Sequence, residues 1–264
     1  MPTVVESNTQ ENLLCFVHGV SVNFYDSQRK LKLKNKEYTL ESYRQGLQGM
    51  KDSGYIFIPF SQYRKDVGLY ALLRHDILFS PERALSLAVE EKKMDIRATY
   101  FVDLHSPWYN ACEIHVKKIL RIIMDLGHYL GLYINPAFWD IPLSCFPTER
   151  VVKKDRRVFE IYFPYSVSAV GFDNEERFTS FTSESYDNLI NADSDEVNMR
   201  YKSITLTQSL FNSVRIPDGE MQSNIQLSIC PVYWTVDYMP LKKKVVTSIV
   251  NRMGKYYKNY RDRI

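Results

Sequence analysis

The hydrophobic positions between residues 37 and 134 alternate between helical and strand-like spacing. Thr39 can cap a helix whose apolar residues Tyr43, Leu47 and Met50 fall at i, i+4 and i+7, and Gly54 can end it. Ser80 followed by Pro81 is a second helix start, a cap and then a first-turn proline. Helices are therefore predicted at 39–54, 81–94 and 111–126, and strands at 55–60, 68–75, 97–102 and 128–134. Helices and apolar strands in alternation predict an α/β fold with a parallel sheet.

The pattern weakens after Asn135-Pro136. Short β-like segments are predicted at 158–163 and 177–182, a strand at 225–234, and a closing helix from Leu241. A chain of 264 residues that is 45% apolar fits one domain. We therefore expect a single domain over 1–264, with 1–36 as an N-terminal extension and 241–264 as a basic C-terminal helix.

Composition narrows the location and the classes of partner. The formal charge of +3 does not indicate nucleic acid. Four cysteines are widely spaced and form no CxxC pair, which favours free thiols in a reducing compartment. No basic region precedes an apolar core at the N-terminus, and no apolar run approaches the roughly 20 residues of a transmembrane helix. A cytoplasmic protein without a transmembrane segment is expected.

Ionisable and polar residues cluster where the predicted strands end. In a parallel β/α barrel the carboxyl ends of the strands build the active site. The expected cleft residues are Arg74, His75, Asp76, Asp103, His105, Trp108, Tyr109, Asn110, Tyr133, Asn135 and Cys230. The sequence contains no GxSxG, HExxH, Walker loop or GxGxxG motif, so serine hydrolase, zincin and nucleotide-binding chemistry are disfavoured.

Three stretches carry a resemblance to a known family. They are "YTLESYRQGLQGMKDSGYIFIPFSQY", "LLRHDILFSPERALSLAVEEKKMDIRATYFVDLHSPWYN" and "IMDLGHYLGLYIN", and "IQLSICPVYW" adds a fourth. Together they resemble the polysaccharide deacetylase superfamily, carbohydrate esterase family 4, in its Arg-His-Asp-x-Asp branch. The resemblance implies a distorted (β/α)7-type barrel in which a divalent metal activates water and removes acetyl from an N-acetylated sugar.

Compared with that pattern, this sequence is substituted at the metal-binding and catalytic positions. Asp76 keeps the first acid, but Leu78 replaces the second, and Tyr133 stands where the pattern has a metal-binding histidine. Ala137 takes the place of a further histidine, and Cys230 that of the late histidine before proline. Scaffold segments such as SPERAL and RATYF are retained. The resemblance thus implies a pseudoenzyme without a metal cofactor, in which Asp76 is the one candidate catalytic residue and His128 is a retained residue of the cleft.

Such a protein would keep its cleft for a glycan or a nucleotide-sugar, or would act as the subunit partner of another protein. The alternative is an active metal-dependent carbohydrate N-deacetylase with a rearranged site, which would hold zinc with Asp76 and His75, His128 or Cys230. A third possibility is contact of the basic tail with nucleic acid or an anionic membrane. Against it, Val245, Ile249 and Met253 recur at helical spacing and favour packing of the tail on the barrel.

Overall fold

The computed structural model describes residues 14–17, 20–23, 38–163, 167–173, 181–205, 223–237 and 239–261. The chain divides into two compact units, one of residues 1–34 with 174–177 and the other of 35–173 with 178–264. In the first unit, strands β1 (Leu14–Val17) and β2 (Val20–Asn23) pair antiparallel. Every element discussed below belongs to the second unit.

The second unit is built around one sheet. Its strands are β3 (Ile56–Ile58), β4 (Tyr70–Ile77), β5 (Thr99–Asp103), β6 (Tyr129–Ile134), β7 (Ala169–Phe172), β8 (Ser185–Tyr186), β9 (Leu189–Asn191), β10 (Tyr201–Thr205) and β11 (Asn224–Ile229). Its α-helices are α1 (Leu40–Asp52), α2 (Pro81–Lys93), α3 (Ile114–Asp125), α4 (Thr148–Tyr162), α5 (Asp195–Arg200) and α6 (Leu241–Arg261).

The strands are ordered β10-β11-β4-β5-β6-β7-β9-β8, and β3 pairs with the first half of β4. All of these pairs are parallel except β8 with β9. Helices connect β4 to β5 and β5 to β6, the arrangement that the alternating pattern predicts. The predicted α/β class with a barrel-type parallel sheet is confirmed.

The sheet curls, and contacts across its inner face show this. Arg74 on β4 and Gly171 on β7 lie three strands apart, which is about 14 Å in a flat sheet and farther than an arginine side chain reaches. Yet a Cβ on Gly171 would lie 2.7 Å from an Arg74 guanidinium nitrogen. The apolar core on this face likewise joins Leu72 of β4 to Ala169 of β7 and to Tyr201 of β10.

Local signals set the early helices where the sequence predicts them. The Thr39 hydroxyl accepts from the backbone N–H of Ser42, 3.2 Å away, and the Ser80 hydroxyl accepts from that of Arg83 at 3.3 Å. Pro81 occupies the first turn of α2. Both helix starts are confirmed, because a side-chain oxygen satisfies a backbone N–H that the helix itself leaves free.

Residues 158–163 contradict the sequence prediction. They were expected to be β-like, but residues up to 162 form the last turns of α4, and Phe163 follows directly. The buried residues of this helix include Val151, Asp155 and Phe159, spaced four apart, so burial of this face outweighs the β-propensity of the segment. Most of the segment predicted at 177–182 lies outside the described residues; Phe181 and Thr182 are described and are not in a strand.

Helix α6 begins at the predicted residue but packs through different side chains. Lys244 and Arg252 are buried, Val245 and Ile249 are half-buried, and Met253 is exposed. The expectation that Met253 packs on the barrel is therefore wrong. Among the described residues, no helix is long and apolar enough to cross a bilayer.

Candidate functional site

The alternation of side chains along β4 divides the predicted residues 74–76 between two faces. Arg74 lies on the inner face of the curled sheet, where its guanidinium is 4.9 Å from the centre of the Phe101 ring. His75 points to the opposite face, beneath the helices. Successive residues of a strand point to opposite sides, so Arg74 and Asp76 share the inner face and His75 cannot join them.

Arg74 binds two carboxylates at once. Its Nε donates to Asp76 Oδ1 at 2.7 Å and its Nη1 donates to Asp193 Oδ1 at 2.6 Å. The other oxygen of Asp193 accepts from the backbone N–H of Phe172 at 2.7 Å, which fixes that carboxylate. The Arg74 side chain is only 4% exposed, so the three groups form a largely buried ionic triad at the carboxyl end of β4.

Burial and charge act in opposite directions on the triad. Burial opposes the charge on Arg74, but Asp193 and Asp76 outweigh it and raise the pKa of the guanidinium. Burial raises the pKa of Asp76, and the neighbouring Arg74 offsets only part of that rise. Arg74 is therefore a permanent cation, and it binds the carboxylate that the resemblance gives as the one candidate catalytic residue.

The residues around Asp76 do not suit a divalent metal. Leu78 packs against the apolar core, and Ala137 is exposed in a short 3-10 helix. Burial raises the pKa of Cys230 to about 12, and nearby Asp76 adds to the rise, so this side chain is a neutral thiol when no metal is bound. In the part of the chain that the structure describes, no three His, Cys, Asp or Glu side chains converge to hold a metal ion.

Tyr133 belongs to the inner face rather than to a metal site. It is buried in the same apolar cluster as Phe101. Burial raises the pKa of its phenol well above the usual value, and the charge of Asp76 adds to the effect. A neutral phenol is a poor ligand for a divalent cation, which prefers carboxylate or neutral imidazole.

A second cluster lies beyond the end of β5. His105 Nε2 is 3.1 and 3.0 Å from the two oxygens of Asp155, which α4 supplies from its buried face. The His105 ring stacks on Phe138 with the ring centres 4.0 Å apart. The backbone N–H of His105 donates to Asp103 at 2.8 Å, and burial raises the pKa of Asp103 to about 6 although that bond opposes the rise. An oriented imidazole thus lies flat on an aromatic ring, next to an acid that titrates near neutrality.

Four of the predicted cleft residues meet in one open depression of about 410 Å³. Residues 104–110 and Phe138 line it, and they include His105, Trp108, Tyr109 and Asn110. Trp108 also contacts Phe79, with ring centres 5.4 Å apart. Partly exposed aromatic rings beside polar groups are the surface that sugar faces pack against.

Other predicted residues support the loops around this depression. The Tyr109 hydroxyl donates to the carbonyl of Ile77 at 2.8 Å and accepts from the backbone N–H of Asp103 at 3.0 Å, which ties the ends of β4 and β5 together. The side-chain oxygens of Asn110 and Asn135 each accept from a backbone N–H two residues later. These bonds shape the loops around the depression.

His75 and His128 lie elsewhere, in a buried network under α2. Glu91 of α2 accepts from His75 Nε2 at 2.6 Å, from the Tyr100 hydroxyl at 2.7 Å and from the Tyr43 hydroxyl. His128 Nδ1 is 3.5 Å from Glu91 and accepts from a backbone N–H, while its Nε2 donates to the carbonyl of Ala88 at 2.9 Å. Burial lowers the pKa of His128. The structure therefore places both histidines in the helix-to-sheet packing and not in the expected cleft.

Two residues of the site were missed in the sequence. Asp193 lies in the polar stretch NADSDEVN, where nothing distinguishes it from its neighbours. Asp155 carries a usable signal, since it falls between Val151 and Phe159 on the buried face of α4. An acid on an apolar helical face indicates a buried partner, but the β-like prediction for 158–163 hides the helical spacing of this segment.

A larger cavity, of about 630 Å³, lies away from these groups. Ile56, Ile58, Gln62, Tyr63, Arg64 and Tyr70 line it. Tyr70 begins β4, so this cavity is about 20 Å along the strand from Asp76. It has no acid or histidine in its lining, and we assign it no chemistry.

Comparison with known proteins finds solved structures that are similar to this chain at low sequence identity. No protein-family model matches the chain, and no curated protein matches it by sequence. A family 4 carbohydrate esterase from Bacillus anthracis aligns over 79% of this chain and 86% of its own, at 13% identity and a TM-score of 0.39.

Two further structures are similar at the same level. The chitin deacetylase of the fungal pathogen Colletotrichum lindemuthianum aligns over 69% of this chain and 81% of its own, at 11% identity and a TM-score of 0.42. A family 4 pseudoenzyme from Bacillus anthracis, BA3943, aligns over 70% of this chain and 60% of its own, at 9% identity and a TM-score of 0.36.

Proposed function

We propose that this protein is a catalytically degenerate, deacetylase-like barrel that binds a glycan without hydrolysing it. The observation that carries the proposal is the buried ion pair between Asp76 and Arg74. A metal-dependent deacetylase needs a carboxylate that is free to act as base, and here a permanent guanidinium holds Asp76 and is itself held by Asp193. Leu78 packs against the apolar core at the position where the family pattern has its second acid.

The depression at residues 104–110 supports binding. His105 lies flat on Phe138 and is held there by Asp155, so both rings keep their orientation without a ligand. Trp108 adds a further ring to the lining. A preoriented aromatic surface binds with a smaller loss of side-chain entropy, which favours a weak but specific sugar contact. The proposed ligand is an N-acetylated oligosaccharide or a nucleotide-sugar. Alternatively, the same depression binds a partner subunit.

Binding can be tested by titrating N-acetylated oligosaccharides of glucosamine into the purified protein in a calorimeter. We expect Trp108→Ala and His105→Ala each to weaken binding about tenfold, a change of roughly 1.4 kcal/mol. Tyr162→Ala is the matched control, because Tyr162 is a partly exposed aromatic residue on α4 that does not line the depression. Equal affinities for all three variants would remove the depression as the binding site. Binding that needs zinc, together with release of acetate, would favour the active, rearranged enzyme instead.

A cytoplasmic location is part of the proposal. Cys112, Cys145 and Cys230 are free thiols, which is consistent with a reducing compartment. Fractionation of cells that produce the protein, with the thiol state read by alkylation, tests this directly. Thiols found oxidised in a secreted fraction would contradict it.

A further inference from the structure

Helix α6 buries charged residues and exposes apolar ones. Lys244 and Arg252 are 1% and 6% exposed, whereas Val246, Val250 and Met253 are 42%, 57% and 57% exposed. A helix that packs on a domain ordinarily does the opposite, with its apolar stripe inward and its charges in water. The outward face of α6 therefore needs its own explanation.

The buried cations fix which side of α6 faces outward. The ammonium of Lys244 donates to the backbone carbonyl of Tyr233 at 2.7 Å and also to that of Tyr38. Arg252 pairs with Glu82 of α2 at 3.1 Å and with Glu113 at 3.5 Å. Rotating the helix to bury its valines would break all of these bonds and leave the carboxylates without their cation.

The exposed apolar residues form one stripe with basic residues beside it. Val246, Val250 and Met253 are spaced i, i+4 and i+7, so they lie on the same side of the helix. Lys242 and Lys243 are exposed in its first turn. The whole helix, 241–261, carries seven Lys and Arg and no Asp or Glu, and its sequence has tyrosines at 256, 257 and 260.

We propose that the outward face of α6 docks on an anionic lipid surface. An apolar stripe beside basic side chains fits acyl chains beneath negative headgroups. A second copy of the chain fits poorly, since it would bring two basic stripes together. The helix stays docked on the barrel and lies in the membrane surface without crossing it. This contact does not depend on the glycan proposal.

The test is sedimentation of the full chain with vesicles of phosphatidylcholine alone and of phosphatidylcholine with phosphatidylserine. We expect binding to the second vesicle only, weakened at least fivefold by raised salt. The charge variant Lys242→Glu with Lys243→Glu should weaken it at least tenfold, by about one factor of five for each lysine. The stripe variant Val246→Asn with Val250→Asn and Met253→Asn should do the same.

Matched controls change the same chemistry elsewhere. Lys118→Glu with Arg121→Glu reverses two exposed charges on α3, and Ile161→Asn removes an exposed apolar side chain from α4. Both should bind lipid as the unchanged chain does, and thermal unfolding should confirm that every variant folds.

Three results would overturn the proposal. The first is equal lipid binding by the stripe variant. The second is a dimer of the unchanged chain in sedimentation velocity that the stripe variant loses, which would assign the face to a second copy. The third is salt-sensitive binding of single-stranded DNA that exceeds lipid binding and is lost in the same variants.

Discussion

Replacing Arg74 by methionine should destabilise the fold more than any surface arginine can. Methionine fills a similar volume but leaves Asp76 and Asp193 without their shared cation, with side chains only 18% and 16% exposed. Removing one partner of a buried ion pair costs about 3–5 kcal/mol. Because both carboxylates retain some contact with water, we expect the lower end, about 3 kcal/mol at pH 7.

The stability lost in Arg74→Met should be smaller in acid, because the carboxylates left without a cation become protonated. Without Arg74, burial and the charge of Asp193 raise the pKa of Asp76 in the folded state above that of the unfolded chain. A raised acid pKa penalises folding above the unfolded value of about 3.9, and the penalty disappears once both states are protonated. The deficit of Arg74→Met should therefore be smaller near pH 4 than at pH 7.

The assay is urea unfolding, followed by tryptophan fluorescence at both pH values. Arg121→Met, at an exposed position on α3, is the control and should change the unfolding free energy by less than about 0.5 kcal/mol. Adding Asp76→Asn and Asp193→Asn to Arg74→Met should recover most of the loss, because no unpaired charge then remains buried. A cost for Arg74→Met no greater than that for Arg121→Met, or an equal loss of stability at both pH values, would show that Arg74 does not hold the two carboxylates in this way.

Three more substitutions test other parts of the account by the same unfolding assay. Gly171→Ala places a Cβ 2.7 Å from the Arg74 guanidinium, which its two carboxylates hold in place, and should lower the unfolding free energy by about 1–3 kcal/mol. The loss should be smaller in the Arg74→Met background. The control Gly49→Ala, whose added Cβ has nothing within 4 Å, should lose no stability. Glu91→Gln places an amide among hydroxyl and imidazole donors and should cost about 2–4 kcal/mol; a loss under about 0.5 kcal/mol would mean that the network is unimportant. Burial raises the pKa of Asp103 to about 6, so ionising this carboxyl in the folded state costs stability as the pH rises from about 4 to above 6. The Asp103→Asn variant has no such cost, and its unfolding free energy should gain on that of the unchanged chain by up to about 3 kcal/mol over this range. Parallel pH profiles of the two proteins would contradict this.

The sequence predicts the parts of the fold that local chemistry decides. Thr39 and the Ser80-Pro81 pair define helix starts through bonds within one turn, and the apolar runs define most of the parallel strands. Residues 158–163 were assigned wrongly because their β-branched and aromatic side chains favour a strand locally, while burial of Phe159 with the rest of α4 favours a helix. That burial depends on distant residues and has no local signal.

In the candidate site, too, the sequence predicts what depends on neighbouring residues and not what depends on distant ones. Strand alternation already places Arg74 and Asp76 on one face and His75 on the other, so the separation of His75 was available from the sequence. The partner of Arg74 was not, since Asp193 meets it only because the sheet curls across β5, β6 and β7. Loop residues that approach a site through the curvature of a sheet have no fixed spacing in the chain.

The proposed function requires that the depression at residues 104–110 binds an N-acetylated glycan without a metal and without cleaving it. One proton NMR experiment tests it: an N-acetylated glucosamine oligosaccharide is mixed with the protein, first with zinc and then with excess chelator. We expect the same broadening of the sugar acetyl signals in both conditions and no free acetate signal after prolonged incubation. A growing acetate signal in zinc that the chelator stops, or broadening that the chelator abolishes, would contradict it.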